Sequence, residues 1–389
     1  MTQLLFLATA VGFWVLYKSY VQPSDPMKWG LALLGVAWFS HLLLTMVNKD
    51  HFALSALALG PVLLMLWRKP PDAIAVRRTL DFFSFAVIGA YLAQRALEQL
   101  GVGVVQSGIF FRTPFMFDIF GPTPKWQGPF GHVAEAAALG AFLLVYGINR
   151  RGFPAWFFSL MGLLMLVMAE QRAALVAAVI GIGVTLIFRK RRGSMRLRWL
   201  LLAFLAFLVI GTTILVASVT APVVGMNGVN GRGDIWPAFF QLWMTSPLVG
   251  VGQSGIEQLS DPGFFVNGVF VAGVPHGHNL SVDVLGRYGL LGVVPVIAFC
   301  VSLCVVCAKA ANRGAPSSLA LVSVFLTISL AETNLDFRYT SISMTVVLLT
   351  FMRGAAPSTS ATALNANEQN LHEARAKSRT SQWRPSEYD

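Results

Sequence analysis

Long apolar runs alternate with short basic loops over most of this chain. Runs close to the ~20 residues that cross a hydrocarbon layer recur near 3–20, 29–47, 51–67, 80–99, 130–148, 154–171, 173–188, 199–219, 287–308, 318–333 and 340–353. They predict an all-α, polytopic integral membrane protein with about 11–12 transmembrane helices. The ~10-residue alternation of a membrane barrel is missing. Two interruptions are long. Residues 101–129 mix Phe110, Phe111, Pro114, Phe115, Phe117, Pro122 and Trp126, which suits a segment lying at a membrane interface. Residues 220–286 are rich in Gly, Asn and Pro, and a loop of that length between packed helices is rarely idle. Within it, 234–245 (DIWPAFFQLWMT) predicts a short amphipathic helix. Residues 354–389 turn polar and predict a disordered tail behind a single transmembrane domain spanning 1–353.

Composition agrees with this pattern. Of 389 residues, 55% are hydrophobic and 12% charged, with mean hydropathy +0.64, too few charges for a soluble chain of this size. The net charge of +11 raises nucleic acid as a partner. The positive residues, however, are parcelled into short loops: Arg68, Lys69, Arg77 and Arg78, then Arg150 and Arg151, then Arg189 to Arg198, then Lys309 and Arg313. Alternation of helices puts all four loops on one side, which the positive-inside bias makes cytoplasmic. The C-terminus then lies inside, the N-terminus outside, and both long loops face out. The first apolar run has no basic residues ahead of it and predicts a membrane helix rather than a cleaved signal. Cys300, Cys304 and Cys307 share one apolar run and read as small buried residues.

Candidate chemistry gathers on the outer face. His278-Asn279 is followed by nine residues and Gly289-Leu290-Leu291-Gly292, where a polar loop meets an apolar run. An imidazole can take a proton from a hydroxyl near neutral pH. Taken alone, a histidine in such a loop reads first as a solvated loop residue, and the sequence does not separate His278 from His276. Asn279, Asp283 and Arg287 follow at helical spacing on one face. Arg172 sits at an outer turn between two apolar runs, where it could bind an anion or pair with Glu170. Arg232 lies in Gly231-Arg232-Gly233-Asp234-Ile235-Trp236. Its fork suits a diphosphate, and a salt bridge to Asp234 is the alternative. Pro247-x-x-Gly250-x-Gly252 could shape a loop or cradle phosphate, but it lacks the lysine and strand of a nucleotide loop. No metal-ligand spacing or cofactor motif is present in the sequence.

Arg172 at a helix start, Gly231-Arg232-x-x-Ile235-Trp236, Pro247-x-x-Gly250-x-Gly252 and His278-Asn279…Gly289-x-x-Gly292 together resemble the O-antigen ligase and polymerase superfamily, closest to the ligases. The resemblance covers roughly residues 165–300. It implies an inner-membrane glycosyltransferase of lipopolysaccharide biosynthesis, inverting and without metal or cofactor. The glycan would pass from undecaprenyl pyrophosphate to lipid A–core oligosaccharide on the periplasmic face. By analogy His278, Arg172 and Arg232 would be catalytic. Arg172, Arg232, Asn279, Trp236, Gly250, Gly252 and Arg338 would bind substrate. Two features depart from the family: Val176 stands where the arginine motif often has leucine, and the family typically has twelve spans with both ends inside. A glycan polymerase or a protein O-oligosaccharyltransferase using the same donor is the alternative. A transporter or flippase fits less well, because the notable charges cluster in outer loops and no internal repeat is evident.

Overall fold

The computed structural model describes residues 25–51, 54–57, 59–68, 72–100, 130, 133–190, 232–257, 265–266, 269–270, 277–312, 315–330, 332 and 342–355. The apolar runs expected at 3–20 and 199–219, the 101–129 segment, the tail from 356 on, His276 and Arg338 lie outside the described residues.

The helices fall where the apolar runs predict them. They are α1 (Asp25–Val47), α2 (Leu54–Leu57), α3 (Leu59–Arg68), α4 (Ala73–Gln99), α5 (Val133–Ile148), α6 (Phe153–Ala169) and α7 (Arg172–Lys190). After these come α8 (Arg232–Thr245), α9 (Gly252–Glu257), α10 (Leu280–Asn312), α11 (Pro316–Ser329) and α12 (Ile342–Ala355). Among the described residues the β structure is one two-residue antiparallel ladder, Phe265–Val266 against Val269–Phe270. It is a small exception to the all-α expectation. Two boundaries move. α4 begins at Ala73 rather than near 80, where Asp72 Oδ1 caps it by accepting from Ala75 N–H at 2.6 Å. α10 begins at Leu280, so residues 280–286, expected to be loop, are helical.

The bundle core is one cluster to which α1, α3, α4, α5, α6, α7, α10, α11 and α12 all contribute. α5 and α6 form a tight antiparallel hairpin because small residues let their backbones meet. A Cβ on Gly140 would lie 3.0 Å from the Gly162 carbonyl oxygen, and one on Gly162 would strike the Leu144 amide nitrogen. The connection needs Gly152 at φ 72° before Pro154 opens α6. Large apolar side chains also face outward, among them Leu160 and Leu163 on α6, Val176 and Val179 on α7, and Leu291 and Val294 on α10. Pro26–Val47 and Leu280–Ala311 are long and apolar enough to cross a membrane. Val133–Ile148, Phe153–Ala169, Arg172–Phe188 and Pro316–Ser329 are apolar but shorter.

The two ends of the bundle differ in kind. At one end Arg150 and Arg353 gather around Asp81 and Tyr146. Arg150 Nη2 pairs with Asp81 Oδ2 at 2.6 Å, and Tyr146 Oη donates to Asp81 Oδ1 at 2.8 Å. The Arg353 guanidinium lies over the Tyr146 ring at 5.4 Å while its Nε donates to Ser317 Oγ at 3.1 Å. This ties the start of α4, the ends of α5 and α12 and the start of α11 together. At the other end lie the α6–α7 turn, the end of α11 and the start of α10.

The α5–α6 contact yields a stability prediction. Gly162→Val forces apart two backbones already in contact and should cost about 1–3 kcal/mol or more. Gly183→Ala, where a Cβ meets nothing within 4 Å, should be neutral or gain up to about 1 kcal/mol from helix propensity. Thermal unfolding of the two purified variants beside the parent measures the difference.

Candidate functional site

The site is organised by the first turn of α10. Asn279 precedes the helix, and its Oδ1 accepts from Ser281 N–H at 2.9 Å and Val282 N–H at 3.2 Å. It thereby caps two of the amides that a helix start leaves without partners. Its Nδ2 donates to the Leu330 carbonyl at 3.1 Å, fixing the start of α10 to the end of α11. Asp283, one turn on, is 2% exposed and uses both oxygens. Oδ1 accepts from the Gly277 amide at 2.6 Å, and Oδ2 pairs with Arg287 Nε at 2.8 Å. A Cβ on Gly277 would lie 3.0 Å from the Asp283 nitrogen, so the chain needs glycine to fold back this closely.

This fold-back places His278 at φ 47°, a left-handed conformation that a histidine adopts only at some cost. The imidazole is half-buried, and its Nδ1 lies 3.3 Å from Glu332 Oε2. Glu332 is 5% exposed, and its Oε1 accepts from Gln171 Nε2 at 3.3 Å. Gln171 sits in the α6–α7 turn, where Glu170 leaves α6 in the left-handed region at φ 49° with its amide still bonded to Leu166 O. Arg172, exposed at the surface, begins α7 immediately after. His278 and the Arg172 turn thus meet on one carboxylate, across sequence separations of 54 and 161 residues.

Arg232 is the first residue of α8. Trp236, one turn later in that helix, donates from Nε1 to the Gly277 carbonyl at 2.9 Å. α8 is therefore anchored to the residue beside His278, with Arg232 on the order of 6 Å further along the helix axis. Ile235, Ala238 and Phe239 of α8 pack with Val282 and Ile256 in a small separate core.

Gly250 and Gly252 have a clear packing role. α10 is bent at Gly289, at φ 59° and ψ −158°, and the 247–251 loop sits in the bend. Leu290 N–H donates to Pro247 O and Leu291 N–H to Leu248 O, both at 3.0 Å, and Val251 N–H donates to Gly286 O at 3.0 Å. Gly250 has φ 70°, and a Cβ there would strike the Arg287 carbonyl. A Cβ on Gly252 would meet the Asp50 carboxylate and Asn48 from the end of α1. Asp50 Oδ1 accepts from Ser254 N–H at 3.0 Å at the start of α9. Gly292 stays small because the Tyr288 side chain and His41 lie against it, with His41 Nε2 3.2 Å from its carbonyl oxygen.

Of the residues expected to form the site, His278, Asn279, Trp236 and the α6–α7 turn carrying Arg172 converge. Gly250 and Gly252 buttress α10 from the side of α1. Glu332, outside every motif read from the sequence, joins them through His278 and Gln171. Nothing in the sequence marked Gln171, Asn48 or Asp50, because their partners lie far away along the chain. Among the described residues, no three His, Cys, Asp or Glu side chains are grouped to hold a metal ion.

The sequence model of the O-antigen ligase family matches residues 156–297, from early α6 to the middle of α10. Over this segment the chain is similar to the O-antigen ligase family. The matched span holds Gln171, Arg172, Arg232, Trp236 and the whole His278–Gly292 element, while Glu332 lies beyond it. No curated protein matches the chain. The family match supports a ligase- or polymerase-type function, that of a glycosyltransferase-like enzyme acting on lipid-linked sugars.

The buried pair within α10 gives a second prediction. Asp283→Ala removes the carboxylate that faces a 2% exposed guanidinium and should cost about 3–5 kcal/mol. Asp283→Ala combined with Arg287→Leu should recover most of that loss in thermal unfolding. No recovery would mean that Asp283 stabilises through Gly277 alone.

Proposed function

We propose that this protein is a ligase of the inner membrane that moves a glycan from undecaprenyl pyrophosphate to lipid A–core oligosaccharide at the periplasmic face. The observation that carries the reading is the meeting of His278 with the Arg172 turn on Glu332, inside and beside the matched span. Outward-facing leucines and valines, and Arg150 and Arg353 at the end opposite the α6–α7 turn, support a membrane-spanning bundle with the site on the outer side.

The proposed chemistry is a single displacement. The acceptor hydroxyl oxygen attacks the anomeric carbon, and its proton passes to the His278 ring. The bond from that carbon to the pyrophosphate oxygen breaks, and undecaprenyl pyrophosphate leaves with the electron pair. Attack opposite the leaving group inverts the anomeric centre. Arg172 and Arg232 bind the pyrophosphate and stabilise the charge that grows on it. The energy comes from the donor's own glycosyl–pyrophosphate bond, so the step calls for no nucleotide or metal. Trp236 and Asn279 hold the loop that presents His278.

His278→Ala should abolish transfer while the protein still accumulates in membranes; unimpaired capping of lipid A–core in cells carrying only this variant rules the base out. Arg172→Lys and Arg232→Lys keep the charge but lose the two-pronged donor, and each should lower turnover of purified lipid-linked donor by about tenfold or more. In cells lacking the protein, long glycan should accumulate on undecaprenyl pyrophosphate. Lipid A–core bearing a single repeat unit would instead identify a polymerase.

A further inference from the structure

We infer that Glu332 is a positioning residue of this site, holding His278 in the tautomer with its proton on Nδ1 and making Nε2 the basic nitrogen. The inference rests on the proposed role of His278 as a base and adds the group that orients it.

A carboxylate can only accept hydrogen bonds, so a nitrogen 3.3 Å from Glu332 Oε2 must be the one that carries hydrogen. The other carboxylate oxygen accepts from Gln171 Nε2–H at 3.3 Å. Neither partner can drift. The Glu332 amide donates to Ile328 O at 2.9 Å, which tethers the residue to the end of α11. Asn279 Nδ2 bonds Leu330 O at 3.1 Å, so the segments carrying His278 and Glu332 are cross-linked beside their contact. The left-handed backbone of His278 is held by the Gly277–Asp283 and Gly277–Trp236 bonds on its preceding residue. A strained backbone fixed from both sides, with a buried carboxylate at one ring nitrogen, is the arrangement that presents the second nitrogen in one orientation. Gln171 extends the same network to the residue before Arg172, so base and pyrophosphate arm share one anchor.

The test exploits Gln171. In Glu332→Gln, the Gln171 amide N–H keeps an oxygen of residue 332 facing it, which turns the new NH₂ group toward His278 Nδ1. That nitrogen then becomes an acceptor and the ring proton moves to Nε2. We expect kcat to fall by about 100-fold, the low end of what a general base contributes, with acceptor KM changed by less than about twofold. The ¹⁵N shifts of the His278 ring in the full-length protein should exchange between the two nitrogens. Adding Gln171→Glu supplies an acceptor for the NH₂ at 332, turns the amide oxygen back to Nδ1 and should recover kcat by at least about tenfold. The inference is overturned if Glu332→Gln keeps Nδ1 protonated, or if its defect is not relieved by Gln171→Glu. The ¹⁵N reading needs no substrate. A tautomer switch in a protein that transfers no glycan would sustain the role of Glu332 and sink the proposed reaction.

Discussion

Asp283 is the residue on which the rest of this end of the molecule depends. A carboxylate 2% exposed to solvent is tolerated only with its oxygens fully engaged, and this one holds Arg287 and the Gly277 amide. The first bond keeps a guanidinium inside the bundle, where its backbone receives the 247–251 loop. The second folds the incoming chain back over the helix start and fixes the conformation of His278. One side chain thus couples the buried packing of α10 to the pose of the imidazole. The position is also electrostatically suited, since a negative charge in the first turn complements the amide end of the helix.

The glycines around it work by letting backbones approach, and each does so at a different surface. Gly289 breaks the α10 helix so that its next two amides turn to the Pro247 and Leu248 carbonyls. Gly250 lies against the Arg287 carbonyl, and Gly252 against the end of α1. A bent helix whose bend is filled by a loop is stiffer than a bent helix alone, because straightening would break three backbone hydrogen bonds at once. The nine-residue interval between Asn279 and Gly289 therefore has a mechanical meaning. It is the length of rigid helix between the capped start that carries His278 and the bend that anchors it.

Periodicity and length made the helices legible, since an apolar run has few other ways to satisfy its backbone. The apolar run marks α10 only from 287, although Asn279, Asp283 and Arg287 already stand at helical spacing; the helix begins at Leu280 because Asp283 and Arg287 satisfy each other inside the bundle. The same local reading could not assign partners. Arg172 was visible as a costly charge at a turn, but its neighbour Gln171 meets a carboxylate 161 residues away. His278 could not be told from His276 by composition, and its contact with Glu332 lies 54 residues away along the chain. Of the two readings of the glycine motif, a shaped loop or a phosphate cradle, the packing agrees with the first, because the space a Cβ would need at Gly250 and Gly252 is filled by Arg287, Asn48 and Asp50. Local chemistry can be read from one stretch of chain; a site assembled from four helix ends cannot.

The placement of Glu332 also bears on how a carboxylate and a pyrophosphate could share one site. Two anions close together repel strongly in a low-dielectric setting. Here the carboxylate is 5% exposed, and its charge is divided between the Gln171 amide and the His278 ring. On the proposed reading the guanidiniums of Arg172 and Arg232 face the donor, so the pyrophosphate meets cations while the anion stays behind the imidazole. On the same reading, when His278 takes a proton the positive ring gains a partner at Nδ1 at the moment its charge appears. The same contact that fixes the tautomer beforehand then stabilises the product of the proton transfer. The proposed reaction would then run in one direction, from the buried carboxylate through the imidazole to the acceptor hydroxyl and the departing pyrophosphate.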